Sequence, residues 1–133
     1  MSFDVWVEVN IRLKNGNRMN EVIRGFVDSF VKKYRGDFKL WHFLRQTSPV
    51  TGEPEIRLRF FGEDDKIKNI RTSLVNELTQ LERNDPTLYA SHAFGNHGIP
   101  SQDYLGEEGA FGKKGWPIFA EFLMKTSETA IAF

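Results

Sequence analysis

From Phe3 to Leu13 the chain alternates without a break, with Phe3, Val5, Val7, Val9, Ile11 and Leu13 on one side and Asp4, Trp6, Glu8, Asn10 and Arg12 on the other. A period of two predicts a half-buried strand. "KNGN" supplies a turn, and the period then changes: Met19, Val22, Ile23, Phe26, Val27, Phe30, Val31 and Tyr34 fall at the three-and-four spacing of an amphipathic helix, which Gly36 stops. "FKLWHFLRQ" and "EIRLRFFG" read as strands, and the Pro- and Gly-containing loop "TSPVTGEP" between them predicts a hairpin. A second amphipathic helix over 64–82 carries Ile67, Ile70, Leu74, Val75, Leu78 and Leu81, with Glu63, Asp64 and Asp65 at its positive N-terminal end. "NDP" ends it, and "TLYASHAF" predicts a fourth, weaker strand.

Strand, helix, strand, strand, helix, strand is the order of a split βαβ unit. It predicts an α+β, ferredoxin-like domain: a four-stranded antiparallel sheet with two helices on one face. The whole chain, 1–133, fits one domain, with 1–94 as that core. Residues 95–116 are rich in glycine and too long for a mere connection, so they are expected to form a lid or functional loop. Pro117 opens a C-terminal helix over 117–133.

If the helices cover Val5, Val7, Val9, Leu40, Leu44, Ile56, Leu58 and Phe60, the opposite face carries Trp6, Glu8, Asn10, Arg12, Trp41, Phe43, Arg45, Arg57, Arg59 and Phe61. The first and third strands are central in this fold, so Arg57 and Arg59 are expected in mid-sheet. Two readings stand. Guanidinium groups fixed there grip a carboxylate or phosphate bidentately; or they pair with Glu8, Glu55 or an acidic residue of the 95–116 segment folded over them.

Charge and composition narrow the chemistry. Eighteen basic side chains balance 18 acidic ones, which removes any global pull toward nucleic acid or anionic membrane, and any electrostatic function must be local. There is no cysteine, so thiolate metal sites and cysteine nucleophiles are excluded. The N-terminus lacks a signal pattern and no stretch approaches a membrane span, which predicts a cytoplasmic protein. His92 and His97 lack the spacing of a zinc motif, so no metal is expected, and "GEEGAFGKKG" lacks the ending of a phosphate loop, so no cofactor is. His97, near Glu107 and Glu108, is the best acid-base candidate. Ser127 reads as a capping or packing hydroxyl.

"WHFLRQTSPVTGEPEIRLRFFG" resembles a segment of lantibiotic dehydratase C-terminal domains and of stand-alone thiopeptide-type bacteriocin biosynthesis proteins: an aromatic-aromatic-x-Arg strand, a Pro/Gly loop, then His-Leu-Arg-Leu-Arg-Phe. "YLGEEGAFGKKGWPIFAEFLMKTSETAIAF" is similar to that family's Tyr-x-Pro-Glu, Arg-Tyr-Gly-Gly and following helix. The resemblance runs from about Trp6 to the C-terminus. It implies a lyase that removes glutamate from glutamylated serine or threonine of a precursor peptide, or a non-catalytic relative that binds such a peptide or a glutamylating dehydratase partner. By position it implies anion or peptide contacts for Arg45, Arg57 and Arg59; Trp41 is a further candidate contact, and Glu107, Glu108 and His97 are candidate contributors from the lid. The departures are Glu55 for the family histidine, Gly106 for the proline, and Ala110 followed by Phe111 where the family has Arg-Tyr. Family domains also continue with more helical chain, so part of the catalytic apparatus is expected to be missing, or completed by a homodimer.

Two alternatives come from the fold. A ferredoxin-like sheet with exposed aromatics is similar to RNA recognition motifs, although "RLRFFG" departs from their pattern and the net charge is zero. A dimeric α+β barrel would bury two open sheet faces around a small ligand, with Trp6, Trp41 and Phe43 at the interface.

Overall fold

The computed structural model describes residues 2–132, so Phe133 of the expected C-terminal helix lies outside the described residues. The strands are β1 (Asp4–Leu13), β2 (Leu40–Thr47), β3 (Pro54–Glu63) and β4 (Tyr89–Phe94). The helices are α1 (residues 19–33, with a π-helical turn over Ile23–Val27), α2 (Asp64–Asn84) and α3 (Glu108–Ala132). The sheet is antiparallel in the order β2-β3-β1-β4, the ferredoxin-like arrangement that the order of elements predicts. β1 and β3 are central, with Glu8 opposite Arg59 and Asn10 opposite Arg57.

One face carries the core. Val9, Ile11, Ile56, Leu58 and Phe60 are fully buried beneath α1, which contributes Val22, Ile23, Val27, Phe30 and Val31, and α2, which contributes Ile67, Ile70, Leu74 and Leu78. The Phe30 ring lies 5.6 Å from that of Phe60, so helix and sheet meet through large aromatic surfaces. Val75, on the expected apolar stripe of α2, is exposed.

The face assignment of β2 is inverted from the sequence expectation. Trp41 pairs with Phe60, Phe43 with Leu58 and Arg45 with Ile56, and residues opposite each other in an antiparallel pair share a face. Trp41 and Phe43 therefore belong to the helix-covered core, and Arg45 donates from Nη2 to Asn20 Oδ1 of α1 at 2.7 Å. The strand is apolar at both parities, through Leu40 and Leu44 on one side and Trp41 and Phe43 on the other, so alternation cannot choose. The larger aromatic pair gains more by facing the helices. The partner parity brings His42 to the second face.

α3 also differs from expectation. It begins at Glu108 instead of Pro117, with a break at Gly112 (φ 78°), so 108–116 belong to this element and not to the lid. The helix starts on the second face, with the Trp116 ring 5.9 Å from Trp6, and crosses the outer edge of β2. It ends beside α1, where Arg35 and Glu128 approach to 3.5 Å. The Ser127 hydroxyl oxygen accepts a hydrogen bond from the Phe43 N–H at 3.1 Å, closing a main-chain donor on an edge that would otherwise be open. Among the described residues, no helix is long and apolar enough to cross a membrane.

Ser127→Ala should leave the buried Phe43 N–H unpaired and destabilise the fold by about 1–3 kcal/mol. Urea denaturation measures this, and faster hydrogen exchange at the Phe43 amide localises it.

Candidate functional site: a buried ionic layer beside an aromatic groove

On the second face of the sheet the polar side chains of β1 and β3 are buried. Glu8, Asn10, Arg12, Glu55, Arg57 and Arg59 are each at most 7 % exposed, and His42 is 0 % exposed. Glu8 sits at the centre. Its Oε1 accepts from Arg59 Nε at 2.7 Å; its Oε2 accepts from Asn10 Nδ2 at 2.9 Å and lies 3.3 Å from Arg57 Nε. Arg57 Nε also donates to Asn10 Oδ1 at 3.0 Å. Glu55 lies 3.5 Å from both Arg57 and Arg12, and Gln46 donates to it. Arg59 donates from Nη1 to His42 Nε2 at 3.3 Å. The pairing of Arg57 and Arg59 with Glu8 and Glu55, the second of the two sequence readings, is what the fold contains.

Three guanidiniums face two carboxylates within this layer, and Glu107 supplies a third negative charge from the covering segment. Burial pushes the Arg57 pKa down, and Glu8, Glu55 and Glu107 oppose that shift. His42 is depressed to about 3, chiefly by burial and then by Arg59. Its Nε2 faces an arginine donor, so the proton of the neutral ring sits on Nδ1, which has no hydrogen-bond partner among the described residues.

Residues 95–107 cover the layer as the expected lid. The His97 N–H donates to Glu8 Oε2 at 2.7 Å, and the His97 backbone takes a φ of 59° to deliver it. Gly98 follows in the left-handed region, which favours glycine, and a Cβ there would stand 2.8 Å from Arg12 Nη2 and push the guanidinium aside. The Tyr104 ring lies 3.7 Å from Arg59 Cζ and 5.2 Å from the Trp6 ring, and its hydroxyl donates to Glu107 at 3.4 Å. Burial raises the Tyr104 pKa, which keeps the phenol protonated. Gly106 has a φ of 83°, a conformation closed to proline, so its departure from the resembled Tyr-x-Pro-Glu motif is built into the backbone here.

Beyond Tyr104 the surface opens into a groove of about 670 Å³. Trp6, Tyr104, Leu105 and Trp116 form one wall, and Ile67, Lys68 and Arg71 of α2 form the other. The floor is the start of β1. β4 pairs with β1 only from Val9 onward, and the Gly95 N–H on the Glu8 carbonyl at 3.2 Å is the last main-chain bond on that side. Glu8 thus aims its main chain toward β4, and by the alternation of a strand so do Trp6 and Asp4. By that alternation the main-chain groups of Asp4 and Trp6 point away from β3, and among the described residues β4 does not extend far enough to pair with them.

The structure places the candidates as follows. Arg57 and Arg59 lie in mid-sheet, opposite the two long helices, as expected, but are enclosed and internally paired. Arg45 and Trp41 are on the other face, away from them. Glu107 is half-buried against Arg57; Glu108 is exposed and lines the groove. The imidazole of His97 is exposed, and its contribution to the layer is its main-chain N–H. Among the described residues no three His, Asp or Glu side chains converge as a metal site. Sequence reasoning missed His42, Tyr104 and Trp116. The register of β2 would have placed His42; no local signal marks the other two.

Glu8→Gln should strand the buried Arg59 guanidinium, leave Arg57 with Glu55 alone, and destabilise the fold by about 3–5 kcal/mol, measured by chemical denaturation. His42 makes stability depend on pH. The unfolded ring takes up a proton below about 6.5 while the folded ring stays neutral to about 3, so acidification through that window destabilises the protein. The slope from this residue is at most about 1.4 kcal/mol per pH unit. His42→Gln should remove it, visible as the difference between the two proteins' stabilities from about pH 6.5 to about 5, above the main carboxylate range.

No family model matches this chain, and no curated protein does. Among solved structures it is similar to the de novo designed protein Foldit4, with a TM-score of 0.50 and 18% identity over 71% of this chain and 98% of that one. It is also similar to the de novo designed protein LFR1 1 with ferredoxin fold, at a TM-score of 0.44 and 21% identity, covering 71% of this chain and 86% of that one.

Proposed function

We propose that the chain binds an extended peptide by adding it as a further strand to the open start of β1, in the modification of a ribosomally made precursor peptide that the lantibiotic dehydratase resemblance implies. The observation that carries the peptide-binding reading is that pairing with β4 stops at Val9 and leaves the outward-turned main chain of Asp4 and Trp6 at the floor of the groove. Groups two residues apart recur every ~7 Å, which is the repeat an incoming strand presents. Such a strand continues the line of β4 beyond Phe94. Its side chains alternate between the Trp6–Tyr104–Trp116 wall, which favours apolar residues, and the α2 wall.

On that second wall Lys68 has no carboxylate within ion-pair distance among the described residues, and Arg71 is stacked on Phe94 at 4.1 Å without one. Asp64 stands on the same wall, and Asp4, Asp103 and Glu108 also line the groove, so peptide side chains on this side meet both signs of charge and the polar preference is for neutral or mixed-charge residues. The buried arginines support binding over glutamate elimination: Arg57 and Arg59 are committed to Glu8 and Asn10, so neither is free to hold a departing carboxylate. Their part is to fix the floor of the groove. The enclosed second face likewise gives no support to an RNA-stacking sheet or to a barrel closed by two open faces.

The test uses Asp4→Pro, which removes one outward N–H at a strand start, where proline is tolerated. Random peptides displayed on phage and selected on the wild-type protein should show apolar residues at alternate positions. On titration they should shift the Trp6 and Glu8 amide signals and slow their exchange. Asp4→Pro should weaken binding at least about tenfold relative to Asp4→Asn, which loses the same ion pair with Lys39 but keeps the N–H, with the two variants sharing a urea midpoint. Selected peptides that bind Asp4→Pro equally well would remove the strand-addition reading.

A further inference from the structure

Helix α3 has two contrasting faces. The inward one, Trp116, Ala120 and Ser127, is buried against the sheet. The outward one carries Ile118 at 71% and Phe122 at 60% exposure, with the exposed Phe111 ring stacked 4.3 Å from Phe119 beside them. The same outward stripe, by the helical period, includes Lys114, Gly115, Glu121 and Lys125. None of these charges has an ion-pair partner among the described residues. Gly115 has no reason inside the chain: its φ is not in the left-handed region, and a Cβ there would meet only Phe111 Cβ at an ordinary 3.8 Å. A glycine within a helix nevertheless costs about 1 kcal/mol relative to alanine.

The geometry points to a second copy of this chain as the occupant of this face, with the two α3 helices packed antiparallel about a two-fold axis at Ile118. That single operation places Ile118 on its own counterpart, Phe122 in the gap left by the partner's Gly115, and Lys114 beside the partner's Glu121, with both contacts repeated by symmetry. Glycine at 115 lets the helices approach closely enough for the Phe122 ring to be covered. The pattern is self-complementary in shape and charge. A membrane surface fits it poorly, because the stripe is short and an acidic side chain stands among the apolar ones. This pairing does not depend on the peptide-binding proposal: the groove lies against Trp116, on the opposite side of α3.

Analytical ultracentrifugation and light scattering over a concentration series test it on the full chain. A reversible dimer is expected. Ile118→Glu, at a side chain 71% exposed in the free chain and so expected to leave the fold intact by circular dichroism, should give a monomer. Lys114→Glu and Glu121→Lys should each weaken association at least about tenfold, because each creates two like-charge contacts, and the double exchange should restore it. Gly115→Leu should also give a monomer. A wild-type monomer at all concentrations overturns the inference, and so does a dimer indifferent to Ile118→Glu or a double exchange that fails to restore what the single ones lose.

Discussion

The second face of the sheet depends on one carboxylate. Glu8, at the middle of a central strand, meets Arg59, Asn10 and Arg57 across the sheet and the His97 N–H from above. It therefore joins two things the chain makes separately: a strand pair aligned by its apolar face, and a glycine-rich segment with little core of its own. Enclosed ion pairs return little net stability once the lost hydration is counted. What they add here is selectivity among arrangements. The register that sets Glu8 opposite Arg59, with the lid turned to deliver His97, gives each of Arg12, Arg57 and Arg59 a carboxylate within 3.5 Å.

The apolar face was legible because its signal is strong and redundant. Every odd residue of β1 from Val5 to Leu13 is apolar, the two long helices carry clear stripes, and the order of elements admits few topologies. β2 was not legible, since Leu40, Trp41, Phe43 and Leu44 make both parities apolar and only the pairing with β3 decides. That one ambiguity moved Arg45 and Trp41 away from the candidate site and hid His42 within it. The arginine pair was legible as a location, while its partners required tertiary structure, because Glu8 lies 51 residues from Arg59. Tyr104 and Trp116 sit in a stretch whose periodicity is broken by glycines, so nothing local announces that both converge on Trp6.

Trp6 is the point where scaffold and groove meet. Its ring touches His42, Phe61, Tyr104 and Trp116, and its main chain lies on the groove floor. Tyr104 spans the same boundary, one face on the Arg59 guanidinium and one edge on Trp6. The charged layer and the aromatic wall are thus mechanically one body. A rigid wall lowers the ordering entropy that a bound segment must offset, and this is the physical service an enclosed, internally paired layer can render to a neighbouring site.

The two borders of the sheet are finished differently. Along β2 a helix seals the border; along β1 the fourth strand stops short and leaves a notch walled on both sides. Exposed borders of pleated sheets ordinarily invite runaway stacking, since each newcomer offers the next one a fresh rim. A slot one strand wide has no such sequel: whatever enters is flanked at once by α2 and the tryptophan wall, and growth terminates after a single addition. The chain can keep a stretch of backbone available without becoming a seed for fibres.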